Sequence, residues 1–218
     1  GAPSLDNLRT LTLLDENQLQ ARWGVRPSGV APVLVTYHPV TLEYEQTEWQ
    51  VGQLLDALAT IDQPIVFTLP NTDTRGRVIA RLIRDFVGRH PQSQLVENLG
   101  PEGYFSLMAG AAIMVGNSSS GIIEAPSFAL PVVNIGTRQQ GRVRAANVID
   151  VEGGRDDIAR GIAKALAPAF RVRLRGLPNP YGQGGASEVI VRRLEEVPLD
   201  DRLLRKRFVD APSVAFHP

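Results

Sequence analysis

The residues best suited to bind a ligand lie in the stretch Gly116–Glu124. Three consecutive serines there follow a glycine and an asparagine and precede a carboxylate. The run before it, Ala112–Val115, is short and apolar, which is typical of a buried parallel strand. We expect a short helix to begin at Gly121, with the carboxylate one turn further on. Uncapped backbone N–H groups and the positive end of the helix dipole would then point outward from the serines. The stretch therefore predicts an anion site.

The predicted ligand of this site is a nucleotide. Hydroxyl and backbone N–H groups of Ser118, Ser119, Ser120 and Gly121 suit a phosphate or diphosphate, and Glu124 suits the ribose hydroxyls, which would donate hydrogen bonds to it. The alternative is an N-capping loop that holds no ligand. The pattern is not a P-loop, because no Lys follows the glycines, and it is not GxGxxG.

Composition limits the other classes of function. The 218 residues carry 23 Lys plus Arg and 23 Asp plus Glu, so the net charge is zero, which argues against a binder of nucleic acid or of a membrane surface. The chain has no Cys, and its three histidines lack metal-ligand spacing, so neither a metal nor another cofactor is predicted. No export leader and no long apolar run is recognised, and the expected compartment is the cytoplasm.

Strand and helix patterns alternate along the chain. Asp15 and Gly24 are predicted to cap the two ends of the first helix, and Asp156 or Asp157 to cap a later one. Strands are predicted at residues 33–37, 65–69, 95–99, 112–115, 131–135 and 148–151. Helices are predicted at residues 16–23, 51–61, 78–87, 104–109, 158–166 and 186–195, besides the short one from Gly121. This alternation predicts an α/β fold with a doubly wound, mostly parallel sheet.

In such sheets ligands bind outside the carboxyl ends of the strands. Several chemically useful side chains follow predicted strands, and one edge of the sheet should therefore collect them: His38, Asn71, Ser118 to Ser120 and Arg138. Each has an ordinary structural alternative. His38 could be a structural strand-end histidine, Asn71 and Asp73 could be turn formers, and Arg138 could form a surface or interdomain ion pair.

With these residues placed, the chain resembles the C-terminal half of the UDP-N-acetylglucosamine 2-epimerases. The hydrolysing branch of this family is the better match. In this chain the first predicted strand is followed by His-Pro-Val-Thr, whereas the non-hydrolysing branch usually has Gly-His-Arg at that place. Five motifs in order carry the resemblance over residues 1 to 187: Tyr37–Thr41, Leu69–Asp73, Gly116–Gly121 with Glu124, Ile135–Gln139 and Tyr181–Gly184.

The resemblance implies a Rossmann-like domain forming the C-terminal half of a glycosyltransferase B-type fold. Residues 1–26 would be a connector and first short helix and 27–198 the UDP-binding domain, whereas residues 199–218, which the resemblance does not cover, are expected to be a C-terminal tail. The family's N-terminal domain, which carries the acidic residues used in the elimination, would be absent, so this chain alone is expected to be inactive. A homo-oligomer is a further possibility.

The resemblance also implies a reaction and roles for single residues. UDP-N-acetylglucosamine or a derivative would react with water to give an N-acetylmannosamine-type sugar and UDP, for sialic-acid-type pathways. His38 would stabilise or protonate the departing UDP, Asn71 and Asp73 would reach the nucleotide, and Arg138 would offset phosphate charge. Two alternatives remain open: the C-terminal half of a UDP-sugar glycosyltransferase, and a non-catalytic module that binds nucleotide sugars.

Overall fold

The computed structural model describes residues 1–26, 28–70 and 75–205. Its centre is a six-stranded parallel sheet with the order β3-β2-β1-β4-β5-β6. The strands are β1 Val33–Thr36, β2 Ile65–Thr68, β3 Ser93–Val96, β4 Ile113–Gly116, β5 Val132–Ile135 and β6 Val148–Val151. The predicted doubly wound parallel sheet is therefore confirmed.

Helices connect the strands and cover both faces of the sheet. They are α1 Asn7–Thr10, α2 Glu16–Trp23, α3 Thr47–Leu58, α4 Gly76–Arg89, α5 Gly100–Gly110, α6 Ser120–Ile123, α7 Arg155–Leu166, α8 Pro168–Val172, α9 Ala186–Glu196 and α10 Asp201–Leu204. Single 3₁₀ segments occur at Pro3–Asp6, Thr41–Gln46 and Ala125–Phe128. Within the described ranges, no helix is long and apolar enough to cross a membrane.

Side chains of each strand alternate between two hydrophobic cores. Val33 and Val35 of β1 pack with α3, α4 and α7 on one face, whereas Leu34 packs with α2 and α5 on the other. Because both faces are covered, the central strands are mostly apolar, and β1, β2, β4 and β5 are buried along their whole length.

Several predicted boundaries are wrong; the helix predicted at 51–61, for instance, is Thr47–Leu58. The third strand lies at Ser93–Val96 instead of 95–99, because polar Ser93 and Gln94 pair with β2 at the sheet edge and hide the pattern. The helix after it begins at Gly100, since Pro101 fits its first turn. The N-cap of α7 is Gly154; Asp156 and Asp157 lie within the first turn, where they favour the helix dipole.

The predicted caps of the helix Glu16–Trp23 are confirmed. Asp15 accepts a hydrogen bond from the backbone N–H of Gln18, whose side chain in turn accepts one from the Asp15 N–H. This reciprocal pair is a capping box. Gly24 ends the helix with a φ of 70°, a conformation that glycine adopts without steric cost.

The first residues of the chain are attached to the domain at several points. Leu5 is fully buried, and the N–H of Ala2 donates to the Tyr181 carbonyl at 2.8 Å. The Asp6 carboxylate accepts from the backbone N–H groups of Ala186 and Ser187 at 2.9 and 2.8 Å, at the start of α9. The predicted connector therefore packs on the domain, while its boundary at residue 26 and that of the tail at 199 remain predictions.

The contact between Asp6 and α9 makes stability depend on pH in the acid range. Hydrogen bonds from the Ser187 hydroxyl and from the N–H groups of Ser187 and Ala186 lower the pKa of Asp6 to about 2. The stabilising contribution of this carboxylate is complete above its unfolded pKa of 3.8 and is lost as the pH falls through about 2. Asp6→Asn should therefore unfold at lower urea concentration than wild type at pH 6, with the gap closing between pH 4 and 2.

The control for this measurement is Asp56→Asn, which removes the same charge from an exposed position on α3 without touching a helix N-terminus. Urea titrations of the three proteins at several pH values separate the cases. A gap between wild type and Asp6→Asn that stays constant from pH 6 to pH 2 would contradict the assignment.

Gly116 allows β1 and β4 to approach closely where both strands end. Its φ is 140°, and a Cβ added to it would lie 2.0 Å from the carbonyl oxygen of Thr36. The obstacle is backbone, which cannot move aside as a flexible side chain can. Glycine is therefore required at this position.

Gly116→Ala should accordingly lose about 2–4 kcal/mol of unfolding free energy, from backbone strain and overpacking together. The matched control is Gly52→Ala in α3, where an added Cβ meets nothing within 4 Å. That variant should gain up to about 1 kcal/mol, because alanine is the better helix former. Chemical denaturation measures both, and a loss below about 1 kcal/mol in Gly116→Ala would contradict the close-approach argument.

Candidate functional site

A cavity of about 430 Å³ lies at the carboxyl ends of β1, β2 and β4. β1 and β4 are neighbours in the sheet although distant in sequence, so the connections that leave them diverge and open a crevice between them. Side chains from the connector, four strand ends and the loop before α5 line the cavity: Ser4, Asn7, Thr36, His38, Thr68, Leu69, Glu97 to Pro101, Tyr104, Phe105, Ser118 to Ser120, Glu124 and Arg138.

The structure brings together most of the predicted site residues. Those that line this one cavity are His38, Ser118, Ser119, Ser120, Glu124 and Arg138. Gly121 is buried and does not line the cavity, and an added Cβ there would lie 2.8 Å from a methyl group of Val132. Asn71 and Asp73 lie outside the described residues.

The buried side chain of Asn117 joins the loops that follow β1 and β4. Its Oδ1 accepts from the backbone N–H of His38 at 2.7 Å, and its Nδ2 donates to the His38 carbonyl at 2.8 Å. The Asn117 carbonyl accepts from the Arg138 guanidinium at 3.1 Å and from the Gln139 amide at 2.8 Å. One residue thus connects the chain after three strands and sets where His38 and Arg138 stand. Sequence reasoning included Asn117 in a motif but gave it no role.

The serine loop leads into α6, which has four residues. Its N-cap residue Ser119 makes no side-chain capping hydrogen bond. The Ser118 hydroxyl accepts from the Ser120 N–H at 3.3 Å, a contact at the long end of the normal range. Capping therefore accounts for at most one of the three hydroxyls. Because the helix is so short, we expect the hydroxyl and N–H groups themselves, more than a macrodipole, to attract an anion.

Glu124 is a buried carboxylate with one oxygen in use. Its side chain is 7% exposed, and Oε1 accepts from the Ser4 hydroxyl at 2.5 Å. The other oxygen, Oε2, is buried and has no hydrogen-bond partner within the described residues. Four side chains of the described residues have a buried polar atom without a hydrogen-bond partner, and Glu124 is the acidic one among them. An unpaired buried carboxylate oxygen is costly, which indicates a place for a donor from a ligand.

Tyr104 is a member of the site that the sequence did not reveal. Its hydroxyl lies 3.1 Å from the Thr36 hydroxyl, which in turn lies 2.7 Å from that of Thr68. Burial raises the pKa of Tyr104, with the Glu124 charge adding to the effect, although hydrogen bonds with Thr36, Ser120 and Ser118 oppose it. The phenol therefore stays protonated and able to donate. A signal existed in the sequence, since this tyrosine begins the apolar run of the helix before the serine loop.

A second cavity, of about 520 Å³, lies at the ends of β5 and β6. Its charged side chains largely neutralise one another, because Arg144 pairs with Asp150 and Arg160 pairs with Asp157. It contains none of the predicted site residues. Across the described part of the chain, no cluster of three metal-binding side chains occurs.

The strand order and the cavity between β1 and β4 define the class of protein. This is a doubly wound domain of the Rossmann type, in which ligands bind at the carboxyl edge where the order reverses. The family model described as UDP-N-acetylglucosamine 2-epimerase matches residues 1–195. The chain belongs to this family.

Comparison with individual relatives supports the same family assignment. The chain is 35% identical over 207 residues to the UDP-N,N'-diacetylbacillosamine 2-epimerase (hydrolyzing) of Legionella pneumophila, covering 94% of this chain and 53% of the relative. It is 38% identical over 180 residues to the GDP/UDP-N,N'-diacetylbacillosamine 2-epimerase (hydrolyzing) of Campylobacter jejuni, covering 81% and 46%. The predicted family and its hydrolysing branch are confirmed. The chain spans about half the length of these curated relatives.

A solved structure supports the fold. The UDP-GlcNAc 2-epimerase of Methanocaldococcus jannaschii, in complex with UDP-GlcNAc and UDP, superposes with a TM-score of 0.68 at 19% identity. The match covers 89% of this chain and 53% of that one. The architecture is thus that of one half of a known 2-epimerase.

Removing the Asn117 side chain should destabilise the domain. Asn117→Ala removes the two hydrogen bonds that its side chain makes with the buried N–H and carbonyl of His38, and we expect a loss of about 2–4 kcal/mol in unfolding free energy. The control is Asn179→Ala, which also loses several hydrogen bonds, but at a half-buried position that water reaches. That variant should lose about 1 kcal/mol. Denaturant unfolding of both proteins gives the comparison. Equal losses of unfolding free energy would contradict a special role for the two buried hydrogen bonds between Asn117 and the His38 backbone.

Proposed function

We propose that this chain is the UDP-binding domain of a hydrolysing UDP-N-acetylglucosamine 2-epimerase. The observation that carries the proposal is the buried, unpaired Oε2 of Glu124 in the same cavity as the hydroxyls of Ser118, Ser119 and Ser120. An acceptor beside several donors suits a ligand that presents both hydroxyls and anionic oxygens. A nucleoside diphosphate has both.

The diphosphate would lie against the serine loop. The hydroxyls of Ser118 to Ser120 and Tyr104 would donate to its oxygens, and the guanidinium of Arg138 would offset its charge. Arg138 is well placed for this, because its contact with the Asn117 carbonyl holds the guanidinium at the cavity wall. The raised pKa of Tyr104 keeps its hydroxyl protonated beside an anion.

The ribose would lie in the same cavity, at Glu124. A carboxylate accepts two O–H donors from a 2′,3′-diol, and hydrogen bonds to a charged acceptor are stronger than those between neutral groups. Oε2, which has no partner among the described residues, would gain one on binding. Burial of Glu124 makes this contact selective, because water cannot easily replace the diol.

The reaction would be elimination of UDP followed by hydration. A base takes the C2 proton of the sugar, the C2–H electron pair forms a C1–C2 double bond, and the C1–O bond breaks with its electron pair on the diphosphate. Water then adds its hydroxyl to C1 and a proton to the opposite face of C2. His38 would stabilise or protonate the departing diphosphate, and preorganised donors would stabilise the charge that develops there.

The C2 base would come from a second domain, so this chain alone would bind UDP without turning over. Asn71 and Asp73 would approach the nucleotide from the end of β2. The compartment would be the cytoplasm, and association of identical chains is compatible with this scheme.

The relatives' substrates favour a UDP-2-acetamido sugar as the donor. Two relatives are named for N,N'-diacetylbacillosamine, and we extend the proposal to UDP-N-acetylglucosamine and to derivatives that carry a second acetylated amino group. The product would be an N-acetylmannosamine-type sugar for sialic-acid-type pathways. A glycosyltransferase would differ by requiring an acceptor, whereas this chemistry releases UDP from donor and water alone.

Calorimetric titration with UDP tests the binding site. The double variant Glu124→Ala, Ser119→Ala should raise the Kd of this chain for UDP by about tenfold or more, because it removes a charged acceptor and a donor. The control is Glu45→Ala, Ser28→Ala, which makes the same chemical changes at exposed positions away from the cavity. Its Kd should equal that of the wild type.

Two outcomes would contradict the proposal. One is a folded wild-type chain that binds UDP no more tightly than it binds inorganic phosphate. The other is a double variant that keeps the wild-type Kd, which would place UDP away from the serine loop and Glu124.

A further inference from the structure

The hydroxyl of Ser4 and the carboxylate of Glu124 meet at 2.5 Å although 120 positions separate them in sequence. This distance is typical of a hydroxyl that donates to an ionised carboxylate. Both residues line the cavity at the ends of β1 and β4. The connector thus supplies a wall of the candidate nucleotide site and touches the residue proposed to bind the ribose.

We propose that Ser4 is a positioning residue for ribose recognition. Its hydroxyl holds Oε1 of Glu124, and this fixes the plane of the carboxylate so that Glu124 is oriented to accept from the ribose diol. The inference rests on the proposed function, because it concerns how Glu124 reads the nucleoside. It goes further by assigning a residue of the connector to the site.

Glu124 needs such a partner because its terminal torsion is soft. The rotation of a glutamate carboxylate about its last bond is broad, so burial alone does not set the plane in which its oxygens lie. With Oε1 held by Ser4, and Oε2 buried without a partner in the described chain, the orientation is set before a ligand arrives. Less side-chain freedom is then lost on binding, which strengthens the contact with the diol.

Ser4 can do this because its own position is firmly held. It lies in the 3₁₀ segment Pro3–Asp6, next to Leu5, which is fully buried. Asp6 accepts two backbone hydrogen bonds at the start of α9, and the Ala2 N–H donates to Tyr181. Contacts on both sides of Ser4 therefore prevent the hydroxyl from drifting away from Glu124.

The test is a comparison of two ligands in four proteins. Calorimetry gives the Kd of UDP and of 2′,3′-dideoxy-UDP, which lacks the diol, for wild type, Ser4→Ala, Glu124→Gln and the double variant. Ser4→Ala should weaken UDP binding by about fivefold to tenfold and leave 2′,3′-dideoxy-UDP unchanged. In the Glu124→Gln background Ser4→Ala should have little further effect, because the two residues act as one unit.

Conservative and control variants accompany this comparison of wild type, the two single variants and the double variant. Ser4→Thr retains the hydroxyl and should restore wild-type discrimination between the ligands. Ser4→Cys has a similar shape but is a weak donor, so it should behave like Ser4→Ala and serves in its place should the alanine variant fail to fold. Thr10→Ala removes an exposed hydroxyl from α1, outside the cavity, and should change neither Kd.

Three results would overturn the inference while leaving UDP binding intact. Equal weakening of both ligands in Ser4→Ala would make Ser4 a structural anchor. Tighter UDP binding would mean that Ser4 competes with the ribose for Glu124, and an unchanged preference for UDP would mean that Ser4 has no part in it. A wild-type chain that binds neither ligand would overturn the proposed function itself, and the inference with it.

Discussion

The two hydrogen bonds between the Asn117 side chain and the backbone of His38 hold together the ends of β1 and β4, and the cavity depends on this contact. Just before it, Gly116 lets β4 approach the Thr36 carbonyl so closely that no side chain fits. The chain after β5 is attached to the same point through the Asn117 carbonyl. The shape of the site is therefore set by backbone packing and one buried amide, before any ligand contact is considered.

The donors and acceptors of the cavity are compatible with a protein whose net charge is zero. Among the described residues, the donors of the cavity are mainly hydroxyls and backbone N–H groups together with the guanidinium of Arg138, and its buried carboxylate is that of Glu124. Neutral donors are less costly to bury than cations, so an anion can be bound locally while the chain as a whole carries no net charge. In the larger cavity beside β6, opposite charges pair with one another instead.

The predicted connector is packed against the domain and hydrogen-bonded to it. Leu5 contributes to the buried interior, Asp6 satisfies the first N–H groups of α9, and Ser4 contacts Glu124. These three neighbouring residues link the chain start, the last long helix described and the candidate ribose contact. A segment that resembles a simple interdomain connector therefore contributes directly to the site, and family membership by itself does not indicate this.

The sequence by itself determined the alternation of strands and helices, the parallel sheet, and the gathering of His38, the serine loop and Arg138 at one edge. These features depend on local patterns: apolar runs of four or five residues, amphipathic periods and polar residues directly after strands. The sequence predicted β3 too far along the chain, because its polar residues at the sheet edge lack such a pattern. The tertiary structure alone decided the contacts of Ser4, Tyr104 and Asn117. Each acts through contacts with residues far away in the chain, and no local pattern encodes which distant groups packing brings within hydrogen-bond distance.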